Sequence, residues 1–310
     1  MNISHLKYAL EVERTGSISR AAEALYMSQP HLSKAIRELE ENMGITIFSR
    51  TPRGVAPTKQ GKDFLSYAQN IITQIDEMES MYKKAPENKQ KFDICVPRAS
   101  YIADAFISFL NDFDFKESMD MNYRETNSME TINLVSTGAN NLGIIRYQTE
   151  MEDYFLNALE ERLLKYTPIW EFEYLALMSK SHPLANHKEI DYSELRTCIE
   201  IEHGDITVPA LPIAKAREMA KLEEEKKRIC IYERASQLEL LRRIPSTFMW
   251  VSPMPKDLMQ NLGLVQKKCN MAKNKYKDIL IYRKGYRLSP LDRTFSEKLK
   301  ETINAVSVID

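Results

Sequence analysis

The 310-residue chain has no run of eighteen uninterrupted apolar residues, which excludes a transmembrane helix of the ordinary kind. Its opening, Met1-Asn2-Ile3-Ser4-His5, lacks a basic region followed by an apolar one, so no secretory signal and a cytoplasmic location are expected. Cysteine is scarce: Cys95, Cys198, Cys230 and Cys269 are the four present, and none stands at CxxC spacing. Each lies in or at the end of a β-like apolar run, which predicts reduced, mostly buried thiols rather than disulfides or a redox sensor. GxSxG, P-loop and HExxH motifs are absent, and the five histidines (5, 31, 182, 187 and 203) are scattered. No catalytic residue, metal ligand or cofactor is expected from that pattern. Net charge is −1, so the chain lacks the strongly basic composition of a non-specific DNA-coating protein. Any nucleic-acid contact must rest on charge that is local.

What is there is an ordinary globular composition, 43% apolar and 28% charged, long enough for two or three domains. The pattern changes at residues 85–90, where Pro86 stops a helix and apolar periodicity lapses. Before this hinge the periodicity is helical. Ile3, Leu6, Leu10 and Glu13, with Ala9 and Val12 beside them, mark a first helix that ends at Thr15-Gly16. Ser17 caps a short second helix over 18–25, and Tyr26 and Met27 form a turn. Ser28 caps a third helix with Gln29 and Pro30 in its first turn. That helix buries Leu32, Ala35, Ile36, Leu39 and Met43 and shows Gln29, His31, Ser33, Lys34 and Arg37 on the opposite face. Residues 46–49 and 55–57, joined by Arg50-Thr51-Pro52-Arg53-Gly54, read as a small β-wing. Thr58 then caps a helix reaching about Lys84. Its apolar positions 64, 68, 71, 75, 78 and 82 form a heptad seam, widened by Leu65 and Ile72. A seam this regular favours homodimerisation over docking on its own domain.

Beyond the hinge, strands and helices alternate, which predicts parallel, doubly wound sheets. Strands are expected near 92–96, 119–124 and 142–145, with helices over 101–113 and 128–137, the latter opened by the capping box Asn127-Ser128-Met129-Glu130. A second set follows: strands near 173–178, 198–202, 229–232, 247–251 and 263–266, and helices over 209–222 and 235–243. A last strand (278–282) and helix (289–306) return to the first set.

Residues 1–58 carry seven Lys/Arg against six acids, but residues 50–62 hold Arg50, Arg53, Lys59 and Lys62 and no acid. Such a segment suits phosphate contact, and a wing arginine can enter the minor groove. The exposed row on the third helix suits base reading: Gln29 matches adenine, Lys34 matches guanine, Ser33 accepts either, and Arg37 lies nearer the phosphates. Ser17 and Ser28 serve as caps alone, or as caps that also present helix amides to phosphate.

Gly16-Ser17-Ile18-Ser19-Arg20-Ala21-Ala22, Leu25, the run from Ser28-Gln29-Pro30-His31-Leu32-Ser33-Lys34 to Glu40, Gly44, Phe48-Ser49-Arg50 and Thr58-Lys59-Gln60-Gly61 together resemble the LysR-type transcriptional regulators. The resemblance is dense over residues 3–65. Beyond Lys91 it lies in layout and in His182-Pro183-Leu184. It implies an α/β protein with an N-terminal all-α winged helix-turn-helix (1–58), a dimerising linker helix (59–84), a hinge (85–90) and a two-lobed, Rossmann-like effector domain (91–310). That domain is of the type 2 periplasmic-binding-protein kind, with lobe I over about 91–162 and 270–310 and lobe II over about 163–269. Double-stranded promoter DNA, a homodimer or homotetramer, RNA polymerase and a small-molecule effector are the implied partners.

DNA-binding residues carried over are Ser17, Ser28, Gln29, Pro30, His31, Ser33, Lys34, Arg37, Arg50, Arg53 and Thr58. In an open α/β sheet the ligand edge is where strands end, which points to Arg98, Ala99, Ser100, Thr126, Asn127, Ser128, Arg146, Glu202 and His203. Arg98 and Arg146 fit a carboxylate clamp for an anionic effector, or else a surface arginine or an inter-lobe ion pair. The rival reading is a two-lobed binding protein or enzyme whose attached DNA-binding module has lost its ligand response.

Overall fold

Side-chain caps and left-handed glycines punctuate the N-terminal helices of the protein, whose computed structural model describes residues 2–51, 54–82, 90–113, 118–204, 227–270 and 275–307. The chain divides into two compact units, Met1–Asn88 and a second that begins at Lys89. Of the expected hinge, residues 85–89 lie outside the described residues, as do Arg53 and the helix expected over 209–222.

In the first unit, α1 (Ile3–Thr15) starts with the Asn2 side chain accepting from the Ser4 amide at 2.9 Å and ends on Gly16 at φ 64°. α2 (Ile18–Ala24) is capped by Ser17. The turn that follows puts Tyr26 at φ 53°, a left-handed conformation unusual for a bulky residue. α3 (Gln29–Met43) closes on Gly44 at φ 66°. Ser28 precedes α3 at the cap position, yet its side chain makes no capping bond. Pro30 has no amide to offer it, which removes one of the two donors a cap would meet. Leu6, Ala9, Val12, Ala21, Ala22, Leu32, Ile36, Leu39 and Ile47 form the core. Met43, expected there, is exposed. The chain reverses at Gly44, and Ile47 enters the core instead.

β1 (Phe48–Thr51) and β2 (Gly54–Pro57) pair antiparallel as the wing. Thr58 opens α4 (Lys59–Tyr82): its Oγ1 accepts from the Gly61 amide at 2.9 Å and donates to the Thr46 carbonyl at 2.6 Å. α4 buries Leu65, Ala68 and Ile72 in its own unit. Two positions of the heptad seam face out, Ile71 at 37% exposure and Met78 at 53%.

The second unit holds two sheets. Lobe I has five strands in the order β4-β3-β5-β13-β6, where β3 is Gln90–Val96, β4 Met119–Glu125, β5 Leu142–Gln148, β6 Leu164–Glu173 and β13 Lys275–Arg283. Helices α5 (Ser100–Asn111), α6 (Ser128–Ser136), α7 (Glu152–Glu161) and α11 (Pro290–Ser307) belong to the same lobe. Phe92, Phe109 and Phe295 interlock in its core, so the C-terminal helix does return to the first lobe. Lobe II has six strands in the order β10-β9-β11-β7-β12-β8: β7 Leu175–Ser179, β8 Glu189–Asp191, β9 Ile199–His203, β10 Arg228–Ile231, β11 Thr247–Val251 and β12 Leu264–Asn270. Alternation along β7 sends Leu177 to one apolar cluster and Ala176 and Met178 to another. Its helices are α8 (Tyr192–Leu195), α9 (Arg234–Arg243) and α10 (Lys256–Leu262).

Three expectations are corrected here. Both sheets are mixed: β13 runs antiparallel to β5 and β6, and β7 antiparallel to β11 and β12. Residues 164–173 belong to lobe I through pairing of β6 with β13, so the first crossover follows Glu173 rather than residue 162. β6 is an edge strand whose burial does not alternate and which carries Pro168, so its sequence hides it. The cysteines are less uniformly buried than expected, with Cys230 exposed. Burial pushes the Cys95 and Cys269 thiols up to about 11, against thiolate chemistry. Among the described residues no helix is long and apolar enough to cross a membrane, and no group of three or more His, Cys, Asp or Glu is placed to hold a metal.

Candidate functional site

The first candidate site is the outer face of α3 with the wing beside it. Leu32, Ala35, Ile36 and Leu39 fix the inner face, so helical geometry leaves Ser28, Gln29, Pro30, His31, Lys34 and Arg37 exposed and Ser33 half-buried. Lys34 stands 3.7 Å from Glu38, one turn along, in a solvent-exposed pair that leaves its charge available. Arg50, Lys59 and Lys62 are exposed around the wing and the start of α4. Ser17 and Thr58, carried over as contacts, have defined work as caps: Ser17 Oγ takes the Arg20 amide at 3.4 Å, and Thr58 opens α4.

Sequence reasoning missed what sets the wing against α3. Glu40 lies on the helix, but its Oε1 accepts from the amides of Ile47 at 2.7 Å and Phe48 at 3.0 Å. The Gly61 backbone sits so close to the Ile47 carbonyl that a Cβ would stand 2.0 Å from its oxygen. A Cβ on Gly54 would stand 2.4 Å from the Gly16 carbonyl oxygen, and the Val55 amide bonds the same carbonyl at 3.0 Å. Arg20 donates to the Thr15 carbonyl at 2.6 Å, closing the end of α1. Gly16, Arg20, Glu40 and Gly61 all stand within the LysR-like motifs, but no periodicity or spacing shows what each of them touches.

The second candidate site lies between the lobes, at the strand ends. Ala99 stands at the cap position of α5 with no side-chain cap, and Ser100 begins the helix, buried. Next to it, the Thr126 amide bonds the Val96 carbonyl at 2.9 Å, holding the end of β4 to β3. One residue that sequence reasoning did not single out joins the lobes. Arg234, first residue of α9, pairs with Glu125 and donates to Ser100 Oγ at 2.7 Å. His203 Nδ1 lies 2.6 Å from Gln237 Nε2, which also reaches the Ile231 carbonyl at 3.0 Å, so His203 is held by its own lobe. Glu202 stands 3.9 Å from Arg228. Arg98 is half-buried.

Arg146 is neither a free clamp nor an inter-lobe link. It faces Asp278 across the β5–β13 register and binds both its oxygens, at 2.8 and 2.6 Å, with side-chain exposures of 7% and 0%. The hydroxyl of Tyr101 donates to the same carboxylate, and burial followed by the Asp278 charge keeps that hydroxyl protonated well above its usual range. The Arg146 guanidinium lies 4.8 Å from the centre of the Phe172 ring. Ser128 is committed too, bonding the Arg146 backbone at both its carbonyl (2.7 Å) and its amide (3.0 Å), while Asn127 caps Glu130 at 2.9 Å.

A three-helix unit with a two-stranded wing and a long exit helix, followed by two α/β lobes, defines a winged helix-turn-helix protein with a two-lobed second domain. Residues 3–62 match the bacterial regulatory helix-turn-helix proteins of the lysR family. The chain is 29% identical over 202 residues to the uncharacterized regulator YnfL of Escherichia coli, 63% of this chain and 64% of that protein. It is 28% identical over 207 residues to the Hca operon transcriptional activator HcaR of the same organism, 63% of this chain and 62% of that one. These alignments thus span less than two thirds of each relative. Among solved structures, full-length OxyR of Pseudomonas aeruginosa aligns with a TM-score of 0.57 at 16% identity over 99% of this chain and 96% of that one. Effector-bound LysG of Corynebacterium glutamicum aligns at 0.60 and 13%, over 97% and 98%. Residues 3–62 thus carry a lysR-type helix-turn-helix, and the relatives of the chain are named as regulators.

Proposed function

We propose that the chain is a sequence-specific transcriptional regulator that reads promoter DNA with the outer face of α3. The observation that carries this is the row of exposed hydrogen-bonding side chains at the start of α3, opposite its buried face. Gln29, Ser33 and Lys34 read base edges, and Arg37 and the basic residues from Arg50 to Lys62, Arg53 among them, hold phosphates. A solved neighbour, CbnR, is described in complex with its target DNA, and it aligns over 97% of this chain at a TM-score of 0.53 and 15% identity. That likeness supports the reading at the level of fold.

The protein works in the cytoplasm as a homodimer through α4, whose outward Ile71 and Met78 need a partner, and assembles further into a homotetramer. A small molecule with an anionic group, bound between the lobes, sets how promoter DNA is presented to RNA polymerase. Footprinting tests the base reading: Ser33→Ala with Lys34→Ala removes the sequence-specific footprint and leaves weak, salt-sensitive binding. An unchanged footprint rejects the assignment. Sedimentation tests the dimer: Ile71→Asp with Ile75→Asp yields monomers, and an unaltered profile rejects the seam.

A further inference from the structure

Resting on the reading that the inter-lobe cleft is the effector site, we infer that its ligand is zwitterionic, a small molecule with a carboxylate and an ammonium group in the manner of an α-amino acid. The inference comes from what now fills the place. Arg234 of lobe II reaches across to Glu125 and Ser100 of lobe I, and the two charged side chains are only 24% and 22% exposed. The pair therefore joins the lobes in a setting where an unpaired charge is costly. A simple carboxylate that took Arg234 would strand Glu125, and a simple amine that took Glu125 would strand Arg234. A zwitterion replaces one ion pair by two and leaves neither side chain alone.

The surroundings match both poles. On the carboxylate side, α5 begins beside Arg234 with Ala99 at its cap, so no side chain fills its first-turn amides, and Ser100 adds a hydroxyl. On the ammonium side stands Glu125, and two residues close in sequence to the ion pair carry a buried oxygen with no hydrogen-bond partner among the described residues. The oxygens are Gln237 Oε1, one turn along α9 from Arg234, and the Tyr123 hydroxyl oxygen, two residues from Glu125. Glu125 and Arg234 both act electrostatically on Tyr123.

The test uses the full chain and calorimetric titration with the twenty L-α-amino acids. Each is paired with the acid lacking its amine and the amine lacking its carboxylate. At least one amino acid binds, at least tenfold more tightly than either counterpart. Glu125→Gln removes that margin from both sides: the amino acid weakens, and the plain acid, which no longer strands a charge, binds more tightly. Arg234→Gln removes binding of both, and Arg234→Lys restores part of it, which separates loss of charge from loss of fold. A plain acid that binds as well as the amino acid and is lost in Arg234→Gln overturns the zwitterion and keeps the cleft. Amino-acid binding that survives Arg234→Gln overturns the cleft reading itself. Absence of binding by every probe overturns the inference.

Discussion

The two units handle their polar side chains in opposite ways. On α3, Gln29, His31, Lys34 and Arg37 project into solvent, and the scaffold beneath them is set by backbone: Gly61 against Ile47, Gly54 against Gly16, and amides gathered by Glu40. In the α/β unit the polar groups are spent on each other. Arg146 is consumed by Asp278, Ser128 by the Arg146 backbone, and Arg234 by Glu125 and Ser100. The first is a surface of exposed side chains on a fixed scaffold. The second is a closed network, and a ligand of the proposed kind would have to displace protein–protein bonds, so specificity there would include the strength of what is displaced.

The contrast breaks most sharply at Asp278. Asp278→Ala leaves the Arg146 guanidinium buried and unpaired, and is expected to destabilise the second unit by about 3–5 kcal/mol. Urea unfolding followed through Trp170 and Trp250, the two tryptophans of the chain and both in that unit, reads the loss. If stability falls by less than about 1 kcal/mol, the network is not what holds β5 to β13. Next is Gly61→Ala, where the added Cβ meets a backbone carbonyl. The expected cost is about 1–3 kcal/mol in the first unit, with DNA affinity falling because α4 and the wing shift. Unfolding and gel-shift measurements that match the unaltered protein would show that the backbone gives way freely.

The smallest effect sharpens the difference by pH. His182 is buried, with Nδ1 accepting from the Leu184 amide at 3.0 Å, and burial lowers its pKa from 6.5. Below pH 6.5 the unfolded chain takes a proton that the folded chain refuses, so stability falls from there down to the lowered folded value. His182→Asn flattens that slope, by at most about 1.4 kcal/mol for each pH unit of the window. Equal slopes in the two proteins would assign the pH dependence elsewhere.

Much of the first unit was legible because its signals are local. Ser17, Gly16 and Gly44 mark helix ends, and the 3.6-residue period separates Leu32, Ile36 and Leu39 from Gln29 and Lys34. Met43 misled because periodicity does not say where a helix outruns its core. In the second unit the order of elements could be read, but not the pairing. β6 joins β13 across about a hundred residues of chain, and the antiparallel neighbours of β7 leave no mark in its own apolar run. The cleft shows the same limit. Arg146 and Arg234 look alike as letters, and only the β5–β13 register decides that Asp278 claims the first and leaves the second to join the lobes.

The carboxylate of Glu40 has a mechanical meaning beyond its two hydrogen bonds. It clasps the amides of Ile47 and Phe48 from the last third of α3, just where the chain enters β1. α3 and the wing are thereby one caliper with a locked hinge. On the proposed reading, a duplex must offer the right bases and the right groove spacing together, because the protein cannot trade one for the other by swinging the wing. Tolerance for altered shape has to come from the DNA, so stiffness in this small carboxylate clasp becomes selectivity for sequences that bend to meet it.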